Sequence, residues 1–381
     1  MPIAERLDAT IKRAISDNRI VGAVVIAKER GQTIYENALG LADREAERPM
    51  ALDTVFRFSS LTKPIVATTA LALVDAGLLE LEASVSRYLP YFRPKLASGE
   101  GAEITIRQLL THTSGLGREY VLSETELAGP AVQAVGGNRW HLSLDENMEL
   151  LAGVPLPFAP GAGWAYGQST DLLGAAVARV TGTTLGEAVA RYVTGPLGMS
   201  DTVFLLPQGE PRLAAAYADN PEHGEPPVLM GDPHSVPNPA GTLTTFSPGR
   251  IFDAKAYHSG GSGMAGTAPD FMVLLEALRT GGGGVIKGET TAAGLGNQTP
   301  QLEQASGPGW QFGYFGAYLV DPIAADSPCA VGTMRWGGIY GHSWFIDPVA
   351  GLSVGAMTNT GLEGSDGIFP LDIRDAIYWP T

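Results

Sequence analysis

The sequence predicts an α+β fold in which an antiparallel sheet, flanked by helices and built from both ends of the chain, is interrupted by a mainly helical region. Apolar runs bounded by turn residues predict strands near the N-terminus and again beyond residue 260. The middle of the chain carries helix signals and loop-rich stretches. This order predicts a discontinuous sheet domain, residues 1–75 and 250–381, around a mainly helical domain, residues 76–249.

The N-terminal elements follow from local patterns. Residues 4–15 alternate apolar and charged side chains and predict an amphipathic helix. The apolar runs 21–27 and 33–39, separated by KERGQ, predict a hairpin. Proline is tolerated only near a helix start, so Pro64 predicts a helix that begins close to Ser60. The apolar run that follows predicts that this helix is buried.

Further along the chain, Thr105 and Thr184 each precede a Gln or Glu by three residues and predict two capping boxes. The strand candidates of the C-terminal third are 312–319, 333–336, 344–346 and 352–358, followed by a helix over 372–379. Segments 116–145 and 205–250 are rich in Gly, Pro and polar residues and predict long surface excursions.

Composition limits the classes of partner. The 381 residues are 44% hydrophobic and 17% charged, which is enough apolar material for a large core. The 25 basic residues stand against 40 acidic ones, and the net charge of −15 disfavours nucleic acids and anionic membranes as partners. No run is long enough to span a bilayer, and the N-terminal residues lack a signal-peptide pattern. We therefore expect a cytoplasmic protein.

The first candidate for chemistry is the Ser60-Leu61-Thr62-Lys63 stretch. Residues three apart on a helix share a face, so the Lys63 amine is expected within reach of the Ser60 hydroxyl. A serine hydroxyl becomes a good nucleophile when a base accepts its proton, and burial against an apolar helix favours the neutral, proton-accepting amine. Alone the pattern is weak, because most such tetrapeptides are solvated helix starts.

Two further motifs lie far from this stretch. Tyr166, in a Gly-rich turn before an apolar helix, either projects its hydroxyl into a cleft or is a buried ring with a satisfied hydroxyl. The Trp336-Gly337-Gly338-Ile339 stretch is either a bulged edge strand or a backbone that approaches a substrate closely. In the second case, the N–H groups of Ile339 and Ser60 are candidates for an oxyanion hole.

Taken together, FRFSSLTK, TIRQLLTHTSGL, PGAGWAYGQSTDLLG, GGSGMAGTAPD and WGGIYGHSWFIDP resemble the serine β-lactamase and penicillin-binding-protein superfamily. Within it, the chain is most similar to the class C β-lactamase-like esterases known as family VIII carboxylesterases. The resemblance covers nearly the whole chain. It implies an active site in the cleft between an α/β domain and a helical domain.

By position, the resemblance implies that Ser60 is the nucleophile, Lys63 its activator and Tyr166 the general base. Lys63 and Tyr166 are expected to titrate as a coupled pair. Two departures bear on specificity. Gln168 stands where the superfamily has Asn, and Trp336-Gly337-Gly338 replaces Lys-Thr-Gly. Because Trp336 carries no charge, a neutral ester is a better fit than an anionic substrate.

The resemblance thus implies a serine carboxylesterase that hydrolyses short-chain acyl esters, without a cofactor or metal. β-Lactam, amide or D-peptide hydrolysis and acyl transfer on the same residues remain open, as does a catalytically inactive binding module. His342, beside the third motif, is a candidate substrate contact. Arg335 is a possible source of positive charge, although strand alternation predicts that it points to the opposite face.

Several other residues fit chemical motifs less well. Ser353 matches Gly-x-Ser-x-Gly but lies in a predicted strand without a following helix. His112 is expected to stabilise a turn, and the single cysteine, Cys329, is expected to be buried. The histidines in the 205–250 segment, His223 and His234, lack metal-ligand spacing. The run 281–284 lacks the ending of a phosphate-binding loop.

Overall fold

A computed structural model of the chain describes residues 1–117, 142–220, 224–237, 243–302 and 305–379. Within these residues the helices are α1 Ile3–Ser16, α2 Thr62–Asp75, α3 Ile106–Leu110, α4 Leu144–Ala152, α5 Ser169–Thr181, α6 Leu185–Val189, α7 Gly195–Leu197, α8 Ala268–Arg279, α9 Gly288–Gly294 and α10 Phe369–Tyr378. The strands are β1 Gly22–Glu29, β2 Gln32–Asp43, β3 Arg48–Pro49, β4 Val55–Arg57, β5 Tyr217–Ala218, β6 Val228–Leu229, β7 His234–Pro237, β8 Leu243–Phe246, β9 Ala265–Thr267, β10 Trp310–Phe312, β11 Ala317–Leu319, β12 Met334–Gly338, β13 His342–Asp347, β14 Leu352–Thr358 and β15 Thr360–Gly361.

The largest sheet joins the two ends of the chain. Its eight strands run in the order β10-β11-β12-β13-β14-β1-β2-β3, and every neighbouring pair is antiparallel. The N-terminal hairpin pairs with the C-terminal strands through β1 and β14, where Val25 lies opposite Ala356. The predicted α+β class with an antiparallel sheet is therefore confirmed. The division into two domains stays a prediction, and the central region holds short strands as well as helices.

Helices cover both faces of this sheet. Along β1, Val24 and Ile26 belong to the core that includes α2 and α8, whereas Ala23 and Val25 pack with α1 and α10. Because alternate residues of a strand point to opposite faces, a strand between two helical layers is apolar at every position. This explains the uninterrupted apolar run that predicted β1.

The local predictions differ in accuracy. Strand β14 has the predicted bounds, and both capping boxes, at Thr105 and Thr184, are present. The single strand predicted over 312–319 is wrong: the chain turns between β10 and β11, where the Gly313 N–H donates to the Gly316 carbonyl over 2.8 Å. Most of segment 116–145, and His223 within 205–250, lie outside the described residues.

A second, two-stranded pairing positions the region around Ser60. Strand β4 pairs antiparallel with β9, and the Phe58 N–H donates to the Met264 carbonyl over 2.9 Å. Directly after β4 the chain enters a 3₁₀ turn, Ser59–Leu61, and then α2. Eleven residues of α2 are buried, as predicted, so the start of this helix is held rigidly in the core.

Candidate active site

Ser60 lies on the 3₁₀ turn between β4 and α2. The preceding residue, Ser59, has φ +47°, a left-handed conformation that costs a residue with a side chain of order 1–3 kcal/mol. This conformation reverses the chain sharply between the strand and the helix. Ser60 is 6% exposed and lines a cleft of about 440 Å³.

Lys63 lies in the first turn of α2, at the predicted spacing from Ser60. Its Nζ donates a hydrogen bond to Ser60 Oγ over 3.2 Å and another to the Gly261 carbonyl over 2.8 Å. The carbonyl fixes the amine beside the hydroxyl. The structure therefore places the amine and the hydroxyl as the sequence predicts.

Tyr166 reaches the same hydroxyl from the loop before α5. Its hydroxyl donates a hydrogen bond to Ser60 Oγ over 2.8 Å, and Lys63 Nζ lies 4.6 Å from the centroid of its ring. The ring is held between aromatic neighbours, with centroid distances of 4.8 Å to His112 and 4.9 Å to Trp336. Ser60, Lys63 and Tyr166 thus converge, although 106 residues separate the tyrosine from the serine.

The Trp-Gly-Gly-Ile stretch forms the opposite wall of the cleft. Trp336 Nε1–H donates to the Tyr166 hydroxyl oxygen over 3.2 Å. A Cβ atom on Gly338 would lie 2.4 Å from the Phe58 carbonyl oxygen, so only glycine lets β12 approach the chain next to the Ser59–Leu61 turn this closely. Gly337 and Ile339 line the cleft with Ser60. The paired glycines therefore mark a close backbone approach.

Gln168 and His342, the other two residues predicted to contact the substrate, make backbone contacts within the protein. Gln168 is the N-cap residue of α5, where its carbonyl accepts hydrogen bonds from the N–H groups of Asp171 and Leu172. His342 is 1% exposed, and its Nε2–H donates to the Arg57 carbonyl over 2.8 Å. His342 thus holds the end of β4, the strand that leads to Ser60. A substrate contact by Gln168 or by His342 stays a prediction.

The structure adds a residue that the sequence analysis did not single out. Asp171, on α5, is 4% exposed and accepts hydrogen bonds from Ser259 Oγ over 2.6 Å and from the Gly261 N–H over 3.4 Å. The carbonyl of Gly261 is the acceptor for Lys63. Asp171 therefore holds the loop that positions the amine. The available signal was an acidic residue, the only one of this helix, directly before the apolar run 172–178.

The weaker motifs lie elsewhere. Ser353 is fully buried in β14, with Lys28 of β1 on one side and Ile346 of β13 on the other. Burial raises the pKa of the Cys329 thiol, which disfavours the nucleophilic thiolate. His234 begins the short strand β7. His112 is buried against Tyr166, in agreement with a role in shaping this part of the chain.

Among the described residues, no three His, Cys, Asp or Glu side chains are grouped so that they could hold a metal ion. In the same part of the chain, every helix is too short or too polar to cross a bilayer. The chemistry offered by the site is a hydroxyl with an amine and a phenol beside it, facing a glycine-rich strand.

Comparisons with known proteins agree with this geometry. A profile of the Beta-lactamase family matches residues 7–374. Esterase EstB of Burkholderia gladioli is 47% identical over 384 aligned residues, which cover 99% of this chain and 95% of EstB.

Solved structures give the same result. EstCE1, described as a hydrolase with promiscuous acyltransferase activity, superposes with a TM-score of 0.91 at 39% identity and covers 99% of this chain and 98% of its own. An octameric penicillin-binding protein homologue from Pyrococcus abyssi shares the fold, with a TM-score of 0.71 at 19% identity over 98% of this chain and 76% of its own. The predicted superfamily resemblance is confirmed, and because the family profile spans nearly all 381 residues, this chain belongs to the Beta-lactamase family.

Proposed function

We propose that this protein is a serine carboxylesterase that hydrolyses short-chain acyl esters through an acyl-enzyme on Ser60. The observation that carries the proposal is the convergence of Lys63 Nζ and the Tyr166 hydroxyl on Ser60 Oγ, at 3.2 Å and 2.8 Å. The similarity to an esterase, EstB, and to a hydrolase, EstCE1, supports the reaction class. The tyrosine and the Trp-Gly-Gly motif agree with a family VIII carboxylesterase.

Acylation begins with transfer of the Ser60 proton. In the reactive state, Tyr166 is ionised and accepts this proton, while the Lys63 ammonium and the Trp336 N–H stabilise the negative charge on the phenol oxygen. Ser60 Oγ then bonds to the ester carbonyl carbon, whose oxygen becomes negatively charged. The N–H groups of Ser60 and Ile339 are the proposed donors to this oxygen.

Collapse of this intermediate breaks the bond to the leaving alcohol, which takes its proton from Tyr166. Water then attacks the acyl-enzyme and gives a proton to Tyr166, and the second intermediate collapses to release the acid and restore Ser60. Each step moves one proton between Tyr166 and a group bonded at the carbonyl carbon. A cofactor is not required.

The deciding experiment is Ser60→Ala assayed with p-nitrophenyl butyrate. We expect kcat/KM to fall by at least about 1,000-fold, because Ser60 is the hydroxyl on which Lys63 and Tyr166 converge. Ser353→Ala is the matched control, since it removes the serine of the competing motif from the middle of β14. Activity that survives in Ser60→Ala, or is lost only in Ser353→Ala, would contradict the proposal. Intact-mass analysis with a slow ester should show one acyl group, mapped to Ser60.

Acyl transfer is a second candidate activity, because EstCE1 is described as a hydrolase with promiscuous acyltransferase activity. An alcohol that replaces water in deacylation would give a new ester from the same intermediate. Product analysis with p-nitrophenyl butyrate and added primary alcohols distinguishes transfer from hydrolysis. For β-lactams, turnover of nitrocefin against p-nitrophenyl butyrate gives the corresponding comparison. The uncharged Trp336 favours the neutral ester over the anionic β-lactam.

A cytoplasmic location stays a prediction.

A further inference from the structure

Arg335 lies next to Trp336 on β12 but points away from Tyr166. Its cross-strand neighbour is Phe345, which packs against Tyr378 of α10 on the outer side of the sheet. Trp336 pairs instead with Trp344, which packs in the core with α8. The alternation predicted from the sequence is therefore present, and Arg335 lies on the α10 side.

The guanidinium of Arg335 is held in place but has no polar partner among the described residues. It stacks on the ring of Trp310, with Cζ 4.0 Å from the ring centroid, and Trp310 is itself 3% exposed. Burial lowers the pKa of Arg335, whose guanidinium nevertheless remains charged at neutral pH. Arg335 is half-buried, and its five N–H donors without an acceptor among the described residues indicate a place for an anion.

The cleft that contains Ser60 extends past Gly337 to this guanidinium. Hydroxyl groups line its far end, from Ser306, Ser327, Thr333, Ser343 and Ser365. The other charged residues that line the cleft are Arg374 and Asp366. Arg374 is already engaged, because it donates to Asp375 over 2.7 Å and to the Asp326 carbonyl over 3.2 Å. Because Asp375 pairs with Arg374, Arg335 is the arginine at this end of the cleft that makes no ion pair with a described residue.

We propose that Arg335 and the surrounding hydroxyl groups form a subsite for a free carboxylate of the substrate, remote from the ester carbonyl at Ser60. The planar guanidinium suits a carboxylate because it can donate two parallel hydrogen bonds. Arg335 and Gly338 are three residues apart on β12, so their Cα atoms lie on the order of 10 Å apart, and a substrate that reaches both ends of the cleft must be long. Monoesters of dicarboxylic acids, and esters whose alcohol part carries a carboxylate, meet this description.

This inference rests on the proposed esterase function and refines its substrate class. The positive charge of Arg335 does not take the place of the lysine found in the related β-lactamase motif. That position is occupied by Trp336, which is neutral and lies beside Ser60. Instead, the charge lies deeper in the cleft, where only a long substrate can reach it. Short neutral esters therefore remain substrates, and esters with a distant carboxylate gain an additional contact.

The test compares pairs of esters that differ only in whether the carboxylate is free or methylated. On the acyl side, the pair is mono-p-nitrophenyl suberate and its methyl ester. On the alcohol side, the pair is 4-butyryloxybenzoate and its methyl ester. We expect the wild-type enzyme to favour the free acid of at least one pair by about tenfold in kcat/KM, and the pair that responds identifies which part of the substrate reaches Arg335.

Arg335→Gln should reduce this preference to about one, and Arg335→Lys should restore part of it, because the charge returns without the planar fork. Arg87→Gln, at an arginine with a 58% exposed side chain, is the control and should keep the wild-type ratio. A wild-type enzyme that shows no preference in either pair overturns the inference, whether or not the variants fold. If esters are still hydrolysed in a Ser60-dependent way, only the carboxylate subsite fails; hydrolysis that persists in Ser60→Ala overturns the proposed function instead.

Discussion

The indole Nε1–H of Trp336 donates a hydrogen bond of 3.2 Å to the hydroxyl oxygen of Tyr166, the oxygen that lies 2.8 Å from Ser60 Oγ. Trp336 stands where the related β-lactamase motif has a lysine, and it contributes a donor without a charge. A donor aimed at the phenol oxygen stabilises its ionised form more than its neutral form. We therefore expect Trp336 to act on proton transfer as well as on substrate selection.

Trp336→Phe tests this role, because it removes the donor and keeps an aromatic ring. We expect kcat for p-nitrophenyl butyrate to fall roughly 10- to 100-fold, the range for loss of one hydrogen bond to a charged group. The acid side of the kcat–pH profile should move to higher pH, since the ionised pair forms less readily. Trp344→Phe on the adjacent strand is the control and should leave the profile in place. A profile that does not move in Trp336→Phe would contradict this role.

Asp171 is expected to act through Lys63 without touching the substrate. Asp171→Ala leaves Ser259 and the Gly261 N–H without their acceptor, so the carbonyl that holds Lys63 is no longer fixed. We expect kcat to fall about tenfold or more with a smaller change in KM, and the free energy of unfolding to fall by about 1–3 kcal/mol.

Asp171→Asn separates positioning from general stability, because the amide retains an acceptor oxygen of the same size. It should recover a larger part of kcat than Asp171→Ala does. Steady-state kinetics and urea unfolding of both variants check this prediction. If both variants lose stability but keep the wild-type kcat, Asp171 only stabilises the fold.

The parts of the site that are local in sequence could be predicted from it. Ser60 and Lys63 share a helix face because of their spacing, and Gly338 is explained by the close approach of β12. The position of Tyr166 depended on a family resemblance, because no local rule brings it to Ser60. The link from Asp171 to Gly261 spans 90 residues and depends on tertiary packing alone. Proximity in sequence can also mislead. His342 follows the Trp-Gly-Gly-Ile stretch closely and was therefore expected to line the cleft, but its side chain is buried against the end of β4.

Because His342 is buried, we expect the folded protein to lose stability in acid. Burial lowers the pKa of His342 to about 4, whereas a histidine in an unfolded chain titrates near 6.5. Between these values the unfolded state binds the proton more readily, so the stabilising contribution is complete above pH 6.5 and declines as the pH falls toward 4. By linkage, about 2 kcal/mol is lost at pH 5.

His342→Gln is expected to remove this acid sensitivity, because glutamine can still donate to the Arg57 carbonyl but does not titrate. Urea unfolding at pH 7.5 and pH 5.0 gives the free-energy difference for each protein. The difference should be smaller in the variant by about 2 kcal/mol. Equal differences in the two proteins would show that other groups cause the acid sensitivity.

Asp219 is expected to make the stability of the protein depend on pH in the opposite direction. Burial, with the nearby charges of Glu363 and Asp366, raises the pKa of Asp219 to about 7. The unfolded chain ionises this group near 3.9, so the folded state binds the proton more tightly and stability falls as the pH rises from about 4 to 7. Asp219→Asn should therefore stabilise the protein at pH 8, on the order of 1–3 kcal/mol after solvent screening, and have little effect at pH 4. The amide oxygen can still accept the Glu363 N–H, which Asp219 accepts over 3.1 Å. Melting temperatures of both proteins at pH 8 and pH 4 check this prediction. A variant less stable than the wild type at pH 8 would mean that the ionised carboxylate contributes more to this contact than its burial costs.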